Sequence, residues 1–176
     1  MLACCYAAAE GDTRARDVEA LASLLTSPSV DGAELEYGPA PWLVVDAARA
    51  ADAENHVLVI TYSEDEAIEV AKIAPELMMT AGVRNAEQRA RLEEGGVDMT
   101  RVVSWLGTRS PDADAIAYVV GEEIEAAFGT LGRPGKRRDD VYAADRDASE
   151  YQELVDLGVT LLATDRPYFV ARELTS

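Results

Sequence analysis

The chain has 176 residues, with 33 acidic side chains against 16 basic ones and a formal net charge of −17. The length suits one domain, which buries roughly 70% of its unfolded surface and needs no staple. So negative a chain is poorly matched to general nucleic-acid binding, where affinity comes mainly from Lys and Arg on phosphate, and to docking on anionic lipid.

In chain order, apolar periodicity predicts an amphipathic helix from about Thr13 to Leu25, with Val18, Leu21, Ala22 and Leu25 on one stripe. A short strand is expected at Gly32–Tyr37, and a helix starting at Pro41 and running through Trp42, Leu43, Val45 and Ala48. His56–Tyr62 is a nearly continuous apolar run, the mark of a strand buried on both faces. Ser63 with Glu66 has the spacing of a capping box for the next helix. Leu77–Val83 reads as the next strand, and Asn85 with Gln88 caps a helix that stops at Gly95-Gly96. Val102–Leu106 is the fourth strand, and Ser110-Pro111 places a cap and a first-turn proline before a helix reaching about Val120. Ile124–Phe128 is the fifth strand, followed by a polar loop from Gly129 to Ala148. Ser149 with Gln152 caps a helix stopped at Gly158, Val159–Ala163 is the sixth strand, and Pro167 opens a terminal helix.

Strands alternating with helices imply parallel βαβ units. About six strands fit either an open doubly wound sheet or part of a (β/α)₈ barrel, a complete barrel needing ~250 residues. The usual nucleotide signatures, G-x-G-x-x-G and G-x-x-x-x-G-K-[ST], are absent. Gly129-Thr130-Leu131-Gly132 follows a strand but leads into a loop and not a helix, which weakens it as a nucleotide cradle.

The single histidine, His56, means that one copy of this chain cannot supply two imidazoles, whether as acid and base or as paired metal ligands. Cys4 and Cys5 are adjacent and give no disulfide framework. No apolar run approaches a membrane span, so the default expectation is a cytoplasmic protein, with an upstream signal left open. Of the 16 basic residues only Lys72 and Lys136 are lysine. An acidic, lysine-poor surface suits a protein kept soluble in concentrated salt, where like charges are screened; a GC-rich genome favours the same composition. A melting temperature that rises from low to molar KCl is the outcome expected of the first alternative.

The stretches HVLVITYSEDEAIEVAKIAPELMMTAGVRN, VSWLGTRSPD, FGTLGRPGKRRDD and YQELVDLGVTLLATDRP resemble, in order, the C-terminal part of glycerophosphodiester phosphodiesterase domains. The closing strand with Thr164-Asp165-Arg166-Pro167 is the most specific piece. The resemblance covers residues 30–174, about the C-terminal three quarters of such a domain, with 1–29 as an N-terminal segment carrying one helix and 1–176 as a single domain. It implies an α/β fold of parallel βα repeats forming an incomplete TIM-like barrel, the six strands standing on the family's third to eighth.

By that alignment the first two βα units are missing, whether by biological loss or through the choice of start site. In the family those units carry a His-Arg pair, a Glu-x-Asp metal motif and a His-Asp pair, the histidines serving as general acid and base. Within 30–174 none of these motifs occurs. His56 precedes a strand, at the end opposite a barrel's active site, and matches neither catalytic histidine. No catalytic residue is therefore assigned.

The resemblance implies a divalent metal, Ca or Mg. Glu34 and Glu36, two apart on one strand, project from one face and offer the oxygen ligands that such an ion prefers. The family lysine that follows the metal-binding glutamate is replaced by Glu36 or Gly38, depending on register. The alternative reading makes this strand a sheet edge with solvated acids. Where the family often has Trp-Thr, this chain has Gly129-Thr130, with Phe128 as the nearest aromatic. Arg133, Lys136, Arg137 and Arg138 form a basic loop that could attract phosphate, or whose cations offset Asp139 and Asp140. Thr130, Arg137 and Asp165 are the candidate substrate-binding residues.

Two functions follow. One is a glycerophosphodiester phosphodiesterase-family domain acting on small phosphodiesters in glycerophospholipid metabolism, inactive as this chain. The other is a non-catalytic α/β domain that binds a ligand or self-associates through exposed strand edges into a homo-oligomer.

Overall fold

The computed structural model describes residues 2–5, 14–26, 32–36, 41–142, 144 and 148–174, with backbone alone for 2–5, 14–17, 32–34, 36 and 41. Internal contacts divide the chain into two compact units, Met1–Gly82 with Arg89–Val102, and Val83–Gln88 with Val103–Ser176.

The first unit holds β1 (Leu2–Cys5), α1 (Arg14–Leu25), β2 (Gly32–Glu36), α2 (Pro41–Ala50), β3 (Val57–Ile60), α3 (Glu64–Ile73) and β4 (Met78–Ala81). The four strands run parallel in chain order. Parallel strands need a crossover connection, and each helix here supplies one. Leu35, Val59 and Met79 from the strands are buried, as are Leu43 of α2 and Val70 of α3. Ser63 caps α3 by accepting from the Glu66 N–H at 3.2 Å, and the Glu66 carboxylate accepts from the Tyr62 N–H at 2.6 Å. The spacing read in the sequence thus satisfies one orphan donor of the helix, and Glu66 reaches back to the residue before the cap.

The second unit holds β5 (Val102–Trp105, from Val103 on), α5 (Ala113–Gly121), β6 (Glu125–Gly129), α6 (Arg138–Tyr142), α7 (Ser149–Leu157), β7 (Leu161–Ala163) and α8 (Pro167–Leu174). β5, β6 and β7 are parallel neighbours in that order. Ala126, Ala127 and Phe128 of β6 are fully buried, as are Ile116 and Val119 of α5 and Tyr151 of α7. α4 (Ala86–Glu94) has its first residues in this unit, where the Asn85 side chain accepts from the Gln88 N–H at 3.0 Å and Gln88 accepts from the Arg84 N–H at 2.8 Å. Gly158 ends α7 at φ 107°, and a Cβ there would lie 2.8 Å from a Val120 methyl, so both backbone and space demand glycine.

Several elements depart from the sequence-based expectations. β1 was not expected: four residues are too few for a periodic signal, and its pairing with β2 is non-local. That pairing gives β2 a neighbour on each side, so β2 is not a sheet edge. α5 is capped by Asp112, which accepts from the Ala115 N–H at 3.1 Å, and not by Ser110. α7 begins after Ala148 with no side-chain cap, and Ser149 is its first helical residue. The polar loop contains the short helix α6.

Candidate functional site

In parallel βα repeats, the loops after the strands collect the variable polar residues. In the second unit those loops converge on Asp139, a residue that is 0% exposed. Its Oδ1 accepts from the Tyr151 hydroxyl at 2.8 Å and the Thr164 hydroxyl at 2.9 Å, and its Oδ2 accepts from the Asp165 N–H at 2.7 Å. Its own N–H donates to the Thr130 carbonyl at 3.0 Å. One side chain therefore ties α6 to α7 and to the segment after β7. A buried carboxylate is tolerable only with such partners. Burial, with the Asp139 acceptor beside it, pushes the Tyr151 phenol well above its usual range.

Outside this hub lies an ion-pair layer. Arg137 donates to Asp140 at 2.9 Å and to Asp165 at 2.8 Å. Asp165 also accepts from the Gly132 N–H at 3.1 Å, and Arg166 lies 3.4 Å from Asp140. The Gly135 N–H and the Arg137 guanidinium hold the Asp140 carboxyl below its ordinary range, and Asp140 and Asp165 hold the Arg137 guanidinium more firmly protonated.

The structure brings three candidates, Thr130, Arg137 and Asp165, into one network. Thr130 is fully buried, with its N–H on the Ala163 carbonyl at 2.8 Å. Arg137 and Asp165 face each other, so the reading in which loop cations offset local acids describes Arg137, with Asp140 and Asp165 as its acids. Phe128 is 0% exposed and presents no ring to a ligand. Trp105 packs against Gly129: a Cβ on Gly129 would lie 2.8 Å from its ring and 2.7 Å from a Thr108 methyl.

Glu34 and Glu36 stand on β2 opposite Leu58 and Ile60 of β3, on one face by their spacing; their side chains, and Gly38, lie outside the described residues. Two carboxylates suit a hard cation but supply only part of the six or more oxygens that calcium takes. Among the described side chains no group of three metal-binding residues occurs. His56 is exposed, in a 3₁₀ turn just before β3. Among the described residues no helix is long and apolar enough to cross a membrane.

Sequence reasoning placed Asp139 only among charges that the loop cations offset, and assigned no role to Tyr151. A carboxylate in a charged run reads as solvated; the one available signal was its position between the glycine-rich loop and an aromatic-bearing helix.

No family model and no curated protein matches the sequence. Solved structures do match. A glycerophosphoryl diester phosphodiesterase from Parabacteroides distasonis superposes with a TM-score of 0.68 at 18% identity, over 82% of this chain and 50% of that one. A Galdieria sulphuraria chain named for the same activity gives 0.65 at 8% identity, over 90% of this chain and 63% of that one. This chain spans between half and 63% of the length of these structures. The likeness shows the fold: parallel βα repeats of an incomplete TIM-like barrel, similar to part of a glycerophosphodiester phosphodiesterase domain.

Proposed function

We propose that this chain is a domain of phosphodiester-hydrolase lineage that takes a small phosphodiester ligand and does not hydrolyse it unaided. The observation that carries this reading is the fold likeness to phosphodiesterases over 82% or more of the chain. The sole histidine argues for the second half of it. Acid–base cleavage of a diester is served best by groups titrating near neutrality, and His56 stands before β3, at the end of the strand away from the loops that follow it. Thr130, Arg137 and Asp165 would frame the ligand end of β6 and β7. A calcium or magnesium ion, where bound, would be held by Glu34 and Glu36 and would polarise a phosphoryl oxygen.

The test is hydrolysis of glycerophosphocholine by the purified chain with Ca²⁺ or Mg²⁺. No release of glycerol phosphate above buffer is expected; turnover abolished by Glu34→Gln would overturn the inactive reading and support the metal assignment.

The alternative is a self-associating, non-catalytic domain in a homo-oligomer. It is favoured by Val141, 66% exposed on α6, and Tyr168, 79% exposed on α8, two apolar side chains that a partner would cover. Light scattering across protein concentration decides this: a mass that stays at the monomer value excludes it.

A further inference from the structure

The loop after β6 carries four cations in six residues, Arg133, Lys136, Arg137 and Arg138. The structure separates them. Arg137 has two carboxylate partners. Arg138 has no carboxylate partner among the described residues. Its Nη1 donates to the Tyr142 hydroxyl at 2.9 Å, its Nη2 lies 3.4 Å from the Ser110 Oγ, and its guanidinium carbon stands 5.8 Å from the centre of the Tyr142 ring. Its Nε is buried and meets no acceptor among the described residues. Arg138 is thus a partly buried guanidinium, held by neutral groups and one aromatic face, with a donor left over.

Most buried polar atoms in folded proteins have partners, and an exception calls for an explanation. A planar fork of donors without a carboxylate is the arrangement that recognises a phosphate oxygen pair. Position agrees. Ser110 belongs to the loop between β5 and α5, and Arg138 opens α6 after β6, so the guanidinium spans two loops at the C-terminal ends of adjacent parallel strands. Arg109 in the first loop and Arg133 and Lys136 in the second are exposed. In a protein of net charge −17 this is a local reversal of sign.

We infer that Arg138 is a phosphate-binding residue of this chain, with the Ser110 hydroxyl as a second donor. The ligand class is a phosphate monoester or diester of a small alcohol. The inference rests on the geometry of Arg138 and stands whether or not the chain hydrolyses a diester.

The experiment titrates the intact chain with inorganic phosphate, glycerol 3-phosphate and glycerophosphocholine, following the Arg138 side-chain Nε–H resonance and the heat of binding. Saturable binding with a downfield shift of that resonance is expected for at least one of them. Binding of the first two alone identifies a phosphomonoester site; binding of the third as well identifies a diester site. Arg138→Gln should weaken binding about tenfold or more, the loss of a charge-assisted hydrogen bond. Arg172→Gln, on α8 and paired with Glu173, should change it by less than about twofold. Absence of saturable binding by all three, or affinity unchanged in Arg138→Gln, overturns the assignment. Should Arg138→Gln fail to fold, the resonance in the unmodified chain still decides. Release of glycerol phosphate in the third titration would refute the inactive reading alone.

Discussion

The C-terminal strand ends are closed differently in the two units. At the ends of β3 and β4 the closure is neutral. The Thr61 N–H donates to the Thr80 hydroxyl at 2.9 Å, that hydroxyl donates to the Thr61 carbonyl at 3.2 Å, and the Thr61 hydroxyl bonds the Thr80 carbonyl. After β6 and β7 the closure is a fully buried carboxylate, Asp139, with a layer of arginine and aspartate outside it. Two hydroxyls complete a sheet at little electrostatic cost. A buried acid that collects three donors holds three segments in one geometry, the arrangement expected where loops must be positioned for a ligand.

The comparison breaks first at Asp139. Asp139→Ala leaves the Tyr151 hydroxyl, the Thr164 hydroxyl and the Asp165 N–H without their acceptor, at about 1–3 kcal/mol for each unsatisfied group. We expect a loss of roughly 4 kcal/mol in urea unfolding, more than any single polar substitution at the ends of β3 or β4. A loss below that of Thr80→Val would show that the two closures are equivalent.

Tyr151→Phe comes next, at about 2 kcal/mol, because it removes one of the three donors to the buried acid. It also has a pH signature. The folded phenol keeps its proton above the unfolded value of about 10, so its contribution is complete below that pH and is lost as the pH rises. The unmodified chain should therefore lose stability in alkali, and the phenylalanine variant should lose less.

Thr80→Val, which keeps the shape and deletes the hydroxyl, should cost about 1–2 kcal/mol by stranding the Thr61 N–H. Smallest is Glu64→Gln, on the surface of the first unit. Glu64 pairs with Arg91 at 2.8 Å and is held below the ordinary carboxylate range by that guanidinium. Its contribution exists above the unfolded value of about 4 and disappears as the pH falls through the folded one. Half-exposed pairs contribute under about 1 kcal/mol, so chemical denaturation at neutral pH should barely register the change.

Most helices and strands were legible because their signals are local. The apolar run Val57–Ile60 and the reciprocal spacing of Ser63 and Glu66 satisfy the backbone within a few residues. The caps that misled show the limit of that logic. Ser110 has the right residue type ahead of a proline, yet Asp112 stands nearer and its carboxylate accepts more strongly, which frees Ser110 for Arg138. Two of the site residues, Arg137 and Asp165, were readable as polar residues at strand ends; their pairing across 28 positions was not.

By itself, then, the sequence determined the alternation of strand and helix, the acidity and the single imidazole, since these depend on residue type and short spacing. Only the tertiary structure decided which charges are neutralised and which remain. Asp139 and Asp140 are adjacent and chemically identical, but one is buried among hydroxyls and the other lies beside arginines. Likewise Arg137 is paired with acids while Arg138, among the described residues, is not. Burial and long-range partners make that difference, and both arise from packing segments distant in the chain.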